Sequence, residues 1–267
     1  MLRYPAVAGT FYPGQPEVLS AAVRECLPQG KIEPARFRAC LVPHAGYIYS
    51  GRVAGAVYSR IAFPRRIIVL GVRHFPYGED AAILSEGAWR TPLGDAPIDS
   101  ELARQIARSC PLLVEDAVAH QNEHSLEVQI PFLQVLNPGA SFVPIALGTL
   151  EFAAVVSVGQ ALGKVLSAEN DVLLLTTTDF NHYEDQATTL RKDQLAIDKI
   201  LAGDGKGLFE VCRRQKISMC GLGSTVAMLT ALDHIGARNA ELVEHRTSAE
   251  HSGDTKKVVG YAGFLFD

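Results

Sequence analysis

Apolar residues along this chain alternate between two spacings. Short unbroken apolar stretches recur at Ala39–Val42, Arg66–Gly71, Ala81–Leu84, Phe142–Leu147 and Asp171–Thr178, the pattern of strands buried on both faces. Between them the spacing turns helical. In Gly51–Ile61, Val53, Val57 and Ile61 share one face. Asp99–Ser109 reads as a helix capped by Asp99 or Ser100. Ser125–Leu136 is helical in spacing, and Pro131 predicts a kink or the true start of the helix. Further helices are predicted over Phe152–Leu166, Thr188–Ala202, Gly207–Arg214 and Gly223–Ile235, with closing strands at Glu241–Arg246 and Val258–Phe266. Strands alternating with helices predict an α/β fold, a mainly parallel sheet covered on both sides. Gly and Pro are dispersed and no linker or long repeat is visible, so residues 1–267 read as one domain.

Composition narrows the function classes. Hydrophobic residues make up 48% of the 267 and charged residues 20%, ordinary for a chain that buries a full core. The formal charge is −4 and no run holds five like charges, so the basic face that nucleic acid or an anionic membrane requires is not expected. The start, Met1-Leu2-Arg3-Tyr4-Pro5, lacks the apolar run of a signal peptide. No apolar stretch approaches the roughly 20 residues of a bilayer span. Cys26, Cys40, Cys110, Cys212 and Cys220 are scattered, with no CxxC pair. That spacing argues against a zinc ribbon or a disulfide framework and makes a reducing cytoplasm the expected compartment.

Chemistry gathers where strands end. His44, His74 and His182 each follow the C-terminal end of a predicted buried strand by a few residues. Ligands of open α/β sheets bind just outside those ends. Imidazole is both the commonest metal ligand and a general acid/base near neutral pH. Singly, these residues also fit plain roles: His44 and His74 as loop histidines, His182 as part of a helix cap with Asp179 and Asn181. Three such coincidences are less probable than one shared site. His124 and Glu123 sit in a polar stretch that opens a helix, and the spacing allows either a structural helix start or a place near the substrate. Cys220 precedes the helix beginning near Gly223, where a thiolate is favoured as metal ligand or nucleophile; a small buried thiol is the plainer reading.

Several segments together resemble one family. Pro5-Ala6-Val7-Ala8-Gly9-Thr10-Phe11-Tyr12-Pro13, Val42-Pro43-His44-Ala45-Gly46-Tyr47, Glu123-His124-Ser125-Leu126-Glu127-Val128-Gln129-Ile130-Pro131, Cys220-Gly221 and the final Val258-Val259-Gly260-Tyr261-Ala262 occur in the order seen in the Memo family, also called AmmeMemoRadiSam system protein B. The resemblance implies a three-layer sandwich with a mainly parallel or mixed central sheet, similar to the class III extradiol dioxygenases. It implies metal ligands at His44, His74 and Cys220, and an acid/base at His182 with Asp179 beside it. His124, Glu123 and Tyr47 are expected in the substrate wall. One iron or copper ion is expected, with zinc as a further fit. Cysteine in place of the dioxygenases' carboxylate ligand is a softer donor and open to oxidation, so ring cleavage does not follow from the fold. Radical-SAM and AMMECR-type proteins are the partners the resemblance suggests. The segment Arg246–Asp254 matches the family's Ser/Gly/Asp-rich pattern only loosely.

Three functions fit these residues. The first is a metal-dependent redox or oxygenase-like enzyme acting on a small molecule. The second is a metal-independent binding module for an anionic, phosphotyrosine-like ligand, although the Arg cluster usual for such capture is missing. The third is metal-free hydrolysis with Cys220 as nucleophile and His182 as base.

Overall fold

The structure, a computed structural model, describes residues 1–148, 151–237 and 239–267. Its strands are β1 (Leu2–Arg3), β2 (Ala39–Val42), β3 (Arg66–Val72), β4 (Ala81–Ile83), β5 (Ala88–Thr91), β6 (Gly94–Pro97), β7 (Val114–Glu115), β8 (Ser141–Leu147), β9 (Val172–Thr177), β10 (His182–Glu184), β11 (Ala240–Thr247) and β12 (Val258–Phe266). Its helices are α1 (Pro16–Cys26), α2 (Tyr47–Tyr58), α3 (Ser100–Ser109), α4 (Val118–Gln121), α5 (His124–Glu127), α6 (Ile130–Leu136), α7 (Phe152–Ala168), α8 (Gln186–Leu201), α9 (Gly205–Gln215), α10 (Leu222–Ile235) and α11 (Ala249–Ser252).

A mixed sheet runs β10-β12-β2-β9-β3-β8-β4-β7, with β11 paired to β12. Strands β2, β9, β3 and β8 are mutually parallel, while β12 and β4 flank them antiparallel. Each central strand is buried on both faces, and its residues divide by parity. Ile68 and Leu70 of β3 and Leu174 of β9 join a core layer with α3, α7, α8, α9 and α10. Ile67 and Val69 of β3 and Leu173 and Leu175 of β9 face the other way, toward α1, α2 and α6. This is the three-layer α/β sandwich with a mixed sheet.

The helix over Ser125–Leu136 divides into α5 and α6, because Pro131 lies in the first turn of α6, where its missing N–H costs nothing. Asp99 caps α3 by accepting the Leu102 N–H. Three features escape the apolar pattern. Helix α1 buries only Leu19, Val23 and Cys26. The separate sheet β1-β5-β6 is built of two- to four-residue strands, too short to show a period. Strand β10 begins at His182 itself.

The N-terminal segment is tied down by Glu127. Its carboxylate accepts the backbone N–H groups of Ala6 (2.8 Å) and Val7 (3.0 Å) and the Tyr12 hydroxyl (2.6 Å). Arg3 pairs with it at 2.7 Å, both side chains being 6% exposed or less. The same guanidinium donates to the His120 and Glu123 carbonyls and lies 4.1 Å over the Trp89 ring. Breaking a buried pair from one side strands the other charge, at about 3–5 kcal/mol. Glu127→Ala is therefore expected to lower unfolding free energy by about that amount, measured by urea denaturation; an unchanged midpoint would show the strap to be dispensable.

Candidate functional site

The parallel strands deliver three chain ends to one edge of the sheet. His44 lies two residues past β2, His74 two past β3, and Asp179 two past β9. Because β9 sits between β2 and β3, these ends are neighbours. The segment 123–129 crosses beneath them and binds them with alternate side chains. Glu123 accepts the His74 backbone N–H at 2.6 Å and contacts His74 Nδ1 at 2.9 Å. Ser125 Oγ donates to the Val72 carbonyl and accepts its N–H. Gln129 Nε2 donates to the Pro43 carbonyl (3.0 Å) and to Thr177 Oγ1 (3.1 Å). Gly71 permits this closeness: a Cβ there would lie 2.8 Å from Ser125 Oγ.

Three imidazoles meet on this floor. The candidate donor nitrogens of His44, His74 and His124 all lie within 4.8 Å of one another. His74 and His124 stack with centroids 4.5 Å apart, and His44 stands edge-on to both at 5.2 and 5.6 Å. Thr177 Oγ1 engages His44 Nδ1 at 2.8 Å, leaving Nε2, which lies 3.1 Å from Cys220 Sγ. The sulfur also accepts the Asp179 backbone N–H at 3.2 Å. Cys220 is pressed into place by Gly221, where a Cβ would come within 2.5 Å of the Thr178 side chain. Asp179 turns its Oδ1 to the His44 backbone N–H at 2.8 Å.

His182 stands apart from the cluster. Its Nδ1 contacts the Ser218 carbonyl at 2.8 Å. A carbonyl only accepts, so Nδ1 carries the proton and Nε2 is left as the basic nitrogen. The acceptor that sets this tautomer is the Ser218 carbonyl.

These groups line a cleft of about 880 Å³, together with Phe11, Tyr49, Tyr183, Tyr261 and Lys257, a size suited to a small organic ligand. Ser248, Ser252 and Asp254, from the loosely matching segment, form part of its wall. Tyr47 does not. Its ring packs on Tyr12 and Phe132 and its hydroxyl donates to the Val128 carbonyl at 2.7 Å, so Tyr49 is the tyrosine this segment offers to a ligand. Glu123 is likewise behind the wall, fully buried under His74. Besides Ser218, the pattern did not reveal Thr177 and Gln129, whose polar side chains sit within or beside apolar runs.

Burial sets the charge state. It drives His44 well below the usual histidine range, with His74 adding to the effect. Burial lowers His124 to about 4 despite the Glu123 carboxylate. Glu123 is held down at about 2, because its bonds to His74 and the nearby His124 outweigh its own burial. Cys220 departs from expectation. Burial, then the Asp179 carboxylate, push its thiol up, outweighing the Asp179 N–H that favours the thiolate. The imidazole touching that thiol is His44, not His182. Both facts count against a free nucleophilic cysteine. Burial also raises the Asp179 carboxyl, against the pull of the His44 N–H.

A family model described as Memo-like protein matches residues 3–265. The chain belongs to the Memo family. The Memo relatives include a MEMO1 family protein (MK0963) of Methanopyrus kandleri, 39% identical over 280 residues and covering 100% of this chain and 99% of its own. Another from Pyrobaculum arsenaticum is 39% identical, covering 99% of each chain. A third, from Methanosarcina barkeri, is 37% identical over the full length of both. Among solved structures, the fold is similar to that of uncharacterized protein JW3007 from Escherichia coli K12, with a TM-score of 0.53 at 12% identity over 85% of this chain and 99% of that one. No helix among the described residues of this Memo protein is long and apolar enough to cross a membrane.

The depressed histidines have a pH consequence. His124 binds its proton near pH 4 when folded and near 6.5 when unfolded. Between those values the unfolded chain binds more protons, so stability falls as pH drops from about 6.5 toward 4. His124→Gln should flatten this limb in denaturant midpoints taken across that range. An identical slope in the variant would place the proton uptake elsewhere.

Proposed function

We propose that this Memo protein is a metal-dependent enzyme of redox or oxygenase type acting on a small molecule, with one iron or copper ion held by His44, His74 and Cys220. The observation that carries this reading is the junction of His44 Nε2 and Cys220 Sγ, 3.1 Å apart beside two further imidazoles. An imidazole nitrogen and a thiol sulfur in contact are two donors that one ion could take up together. The donors suit the group in other respects. His44 is kept neutral by burial, as a ligand must be. Glu123, ionised and bonded to His74 Nδ1, leaves Nε2 as the donor and raises its basicity. Imidazole and thiolate together suit copper, zinc or iron.

Iron or copper bound there supplies redox and oxygen chemistry. The chain's own residues do the rest. His182 Nε2 takes or returns a proton at the substrate. Asp179 fixes the His44 backbone and sets a carboxyl beside the reacting region. His124 contacts the substrate from the floor, and Phe11, Tyr49 and Tyr261 hold its apolar part away from water.

Protein purified without oxygen is expected to carry about one metal ion per chain by elemental analysis, and His44→Ala to carry none. Stoichiometric metal in that variant would reject the assignment. Glu123→Gln should weaken metal affinity by about 10–100-fold. Uptake should release the Cys220 proton, so affinity rises with pH. Cobalt-loaded protein should show a thiolate charge-transfer band that Cys220→Ser abolishes; an unaltered spectrum would move the third ligand to His124.

One observation favours the anionic-ligand module as a second reading. Lys257 lines the cleft and, among the described residues, its ammonium has no hydrogen-bond or ion-pair partner. Calorimetry with a phosphotyrosine peptide separates the two, since binding that survives a chelator would favour the module.

A further inference from the structure

His182 is gripped more tightly than a loop residue at a cleft mouth needs to be, and the grip traces to a buried asparagine. The His182 backbone N–H donates to Ser218 Oγ at 2.7 Å, and its ring Nδ1 to the Ser218 carbonyl at 2.8 Å. Ser218 is in turn fixed by Asn181. The Ser218 backbone N–H and hydroxyl both lie 3.2 Å from Asn181 Oδ1. An amide oxygen only accepts, so the hydroxyl spends its proton on Asn181 and keeps its lone pairs for the His182 N–H. That leaves one consistent direction for every hydrogen bond in the set.

Asn181 is itself immobile. It is fully buried, and its Nδ2 donates to Glu184 Oε2 (2.7 Å) and Thr189 Oγ1 (3.3 Å). Its backbone N–H reaches Asp193 Oδ1 at 3.0 Å, and its carbonyl accepts the Gly260 N–H. Asp193 is buried too and holds His245 at 2.9 Å through its other oxygen. The next residue pair shows the force of this clamp. Tyr183 adopts φ +60°, a left-handed conformation rare for a bulky residue. Such strain persists only where the surroundings over-determine it. Here His182 is held at backbone and ring by Ser218, and Glu184 is held by Asn181 and by Lys192 at 2.6 Å.

We infer that Asn181 is the positioning residue for His182: acting through Ser218, it fixes the imidazole in the Nδ1–H form, with Nε2 as the nitrogen available to the cleft. The inference rests on His182 being the proton-transferring group for its functional meaning, but not for its test. A rotated or flipped imidazole would present an N–H where a base is required, so the residue that prevents this controls the reaction without touching substrate.

The test is the tautomer itself, read from ring 15N shifts of histidine-labelled protein, with His182→Gln identifying the signals. Wild type is expected to show one form, with Nδ1 protonated. Asn181→Ala should shift the tautomer ratio toward Nε2–H by about fivefold or more, the equivalent of one neutral hydrogen bond. Because Asn181 is buried and that variant can unfold, Ser218→Ala is the second probe; it keeps the carbonyl but loses the hydroxyl, and should shift the ratio in the same direction. Ser218→Thr restores the hydroxyl and should restore the wild-type spectrum. A single Nδ1–H form in folded Asn181→Ala, or in Ser218→Ala, overturns the inference. A shifted tautomer supports it even if the His182 substitution leaves turnover unchanged, in which case the proton-transfer role of His182 falls and the positioning role stands.

Discussion

A buried polar group must find a partner or destabilise the fold, and at the carboxyl edge of this sheet one stretch of seven residues meets much of that requirement. Glu123, Ser125, Glu127 and Gln129 are all buried, and each bonds a different part of the chain: the loop after β3, the end of β3 itself, the N-terminal segment, and the ends of β2 and β9. An α5 that lasts one turn before α6 begins is what allows this. Within α5, Ser125 and Glu127 point in different directions, one to β3 and the other to the N-terminal segment, and the break around Val128 and Gln129 turns Gln129 back to the ends of β2 and β9. The donor geometry of the cleft floor is thus a by-product of satisfying the scaffold's own hydrogen bonds.

This explains which parts of the site were legible in the sequence. Strand ends are visible because β2, β3 and β9 carry apolar runs, and His44, His74 and Asp179 each follow one of them by two residues; the parallel arrangement then brings them together with no further information. Cys220 is legible as a residue before a helix, but its charge state is not. A helix N-terminus argues for thiolate, and only the packing of α10 against β9 shows that burial and Asp179 prevail. Tyr47 was misplaced by the same logic in reverse. It sits in the motif that carries His44, yet its place at the start of α2 turns its ring into the layer with Phe132; Glu123, next to His124, lies beneath His74. A motif marks a neighbourhood; it does not say which of its side chains faces the ligand.

Ser218 and Asn181 were illegible for a different reason. Asn181 reads as part of a helix cap and Ser218 as a loop residue, and nothing in their spacing distinguishes those roles from a clamp. Their role depends on β12, whose Gly260 lets Asp193 approach so closely that a Cβ there would fall 1.8 Å from the carboxylate. Segments 181, 193, 218 and 260 are brought together only by tertiary structure. The small sheet β1-β5-β6 is similar: strands of two to four residues carry no period, and their existence is decided by Trp89 packing against Phe142 and His120.

The two sides of the cleft therefore differ in physical character. The floor is poor in charge: His44 and His124 are neutral, Cys220 is protonated, and ionised Glu123 is the compensating anion held out of the cleft behind His74. On the proposed metal reading, the ion would take the place of the thiol proton, with the buried carboxylate as countercharge and neutral nitrogens that need shed nothing. The other side carries His182 Nε2, whose orientation is set by the hydrogen bonds of the ring and backbone to Ser218. Separating donors that must be neutral from a base that must be oriented lets one cleft hold both without the strong mutual repulsion that adjacent protonated imidazoles would create. Strain at Tyr183 is the local cost of that separation, confined to one residue at the mouth, where solvent leaves room for its side chain.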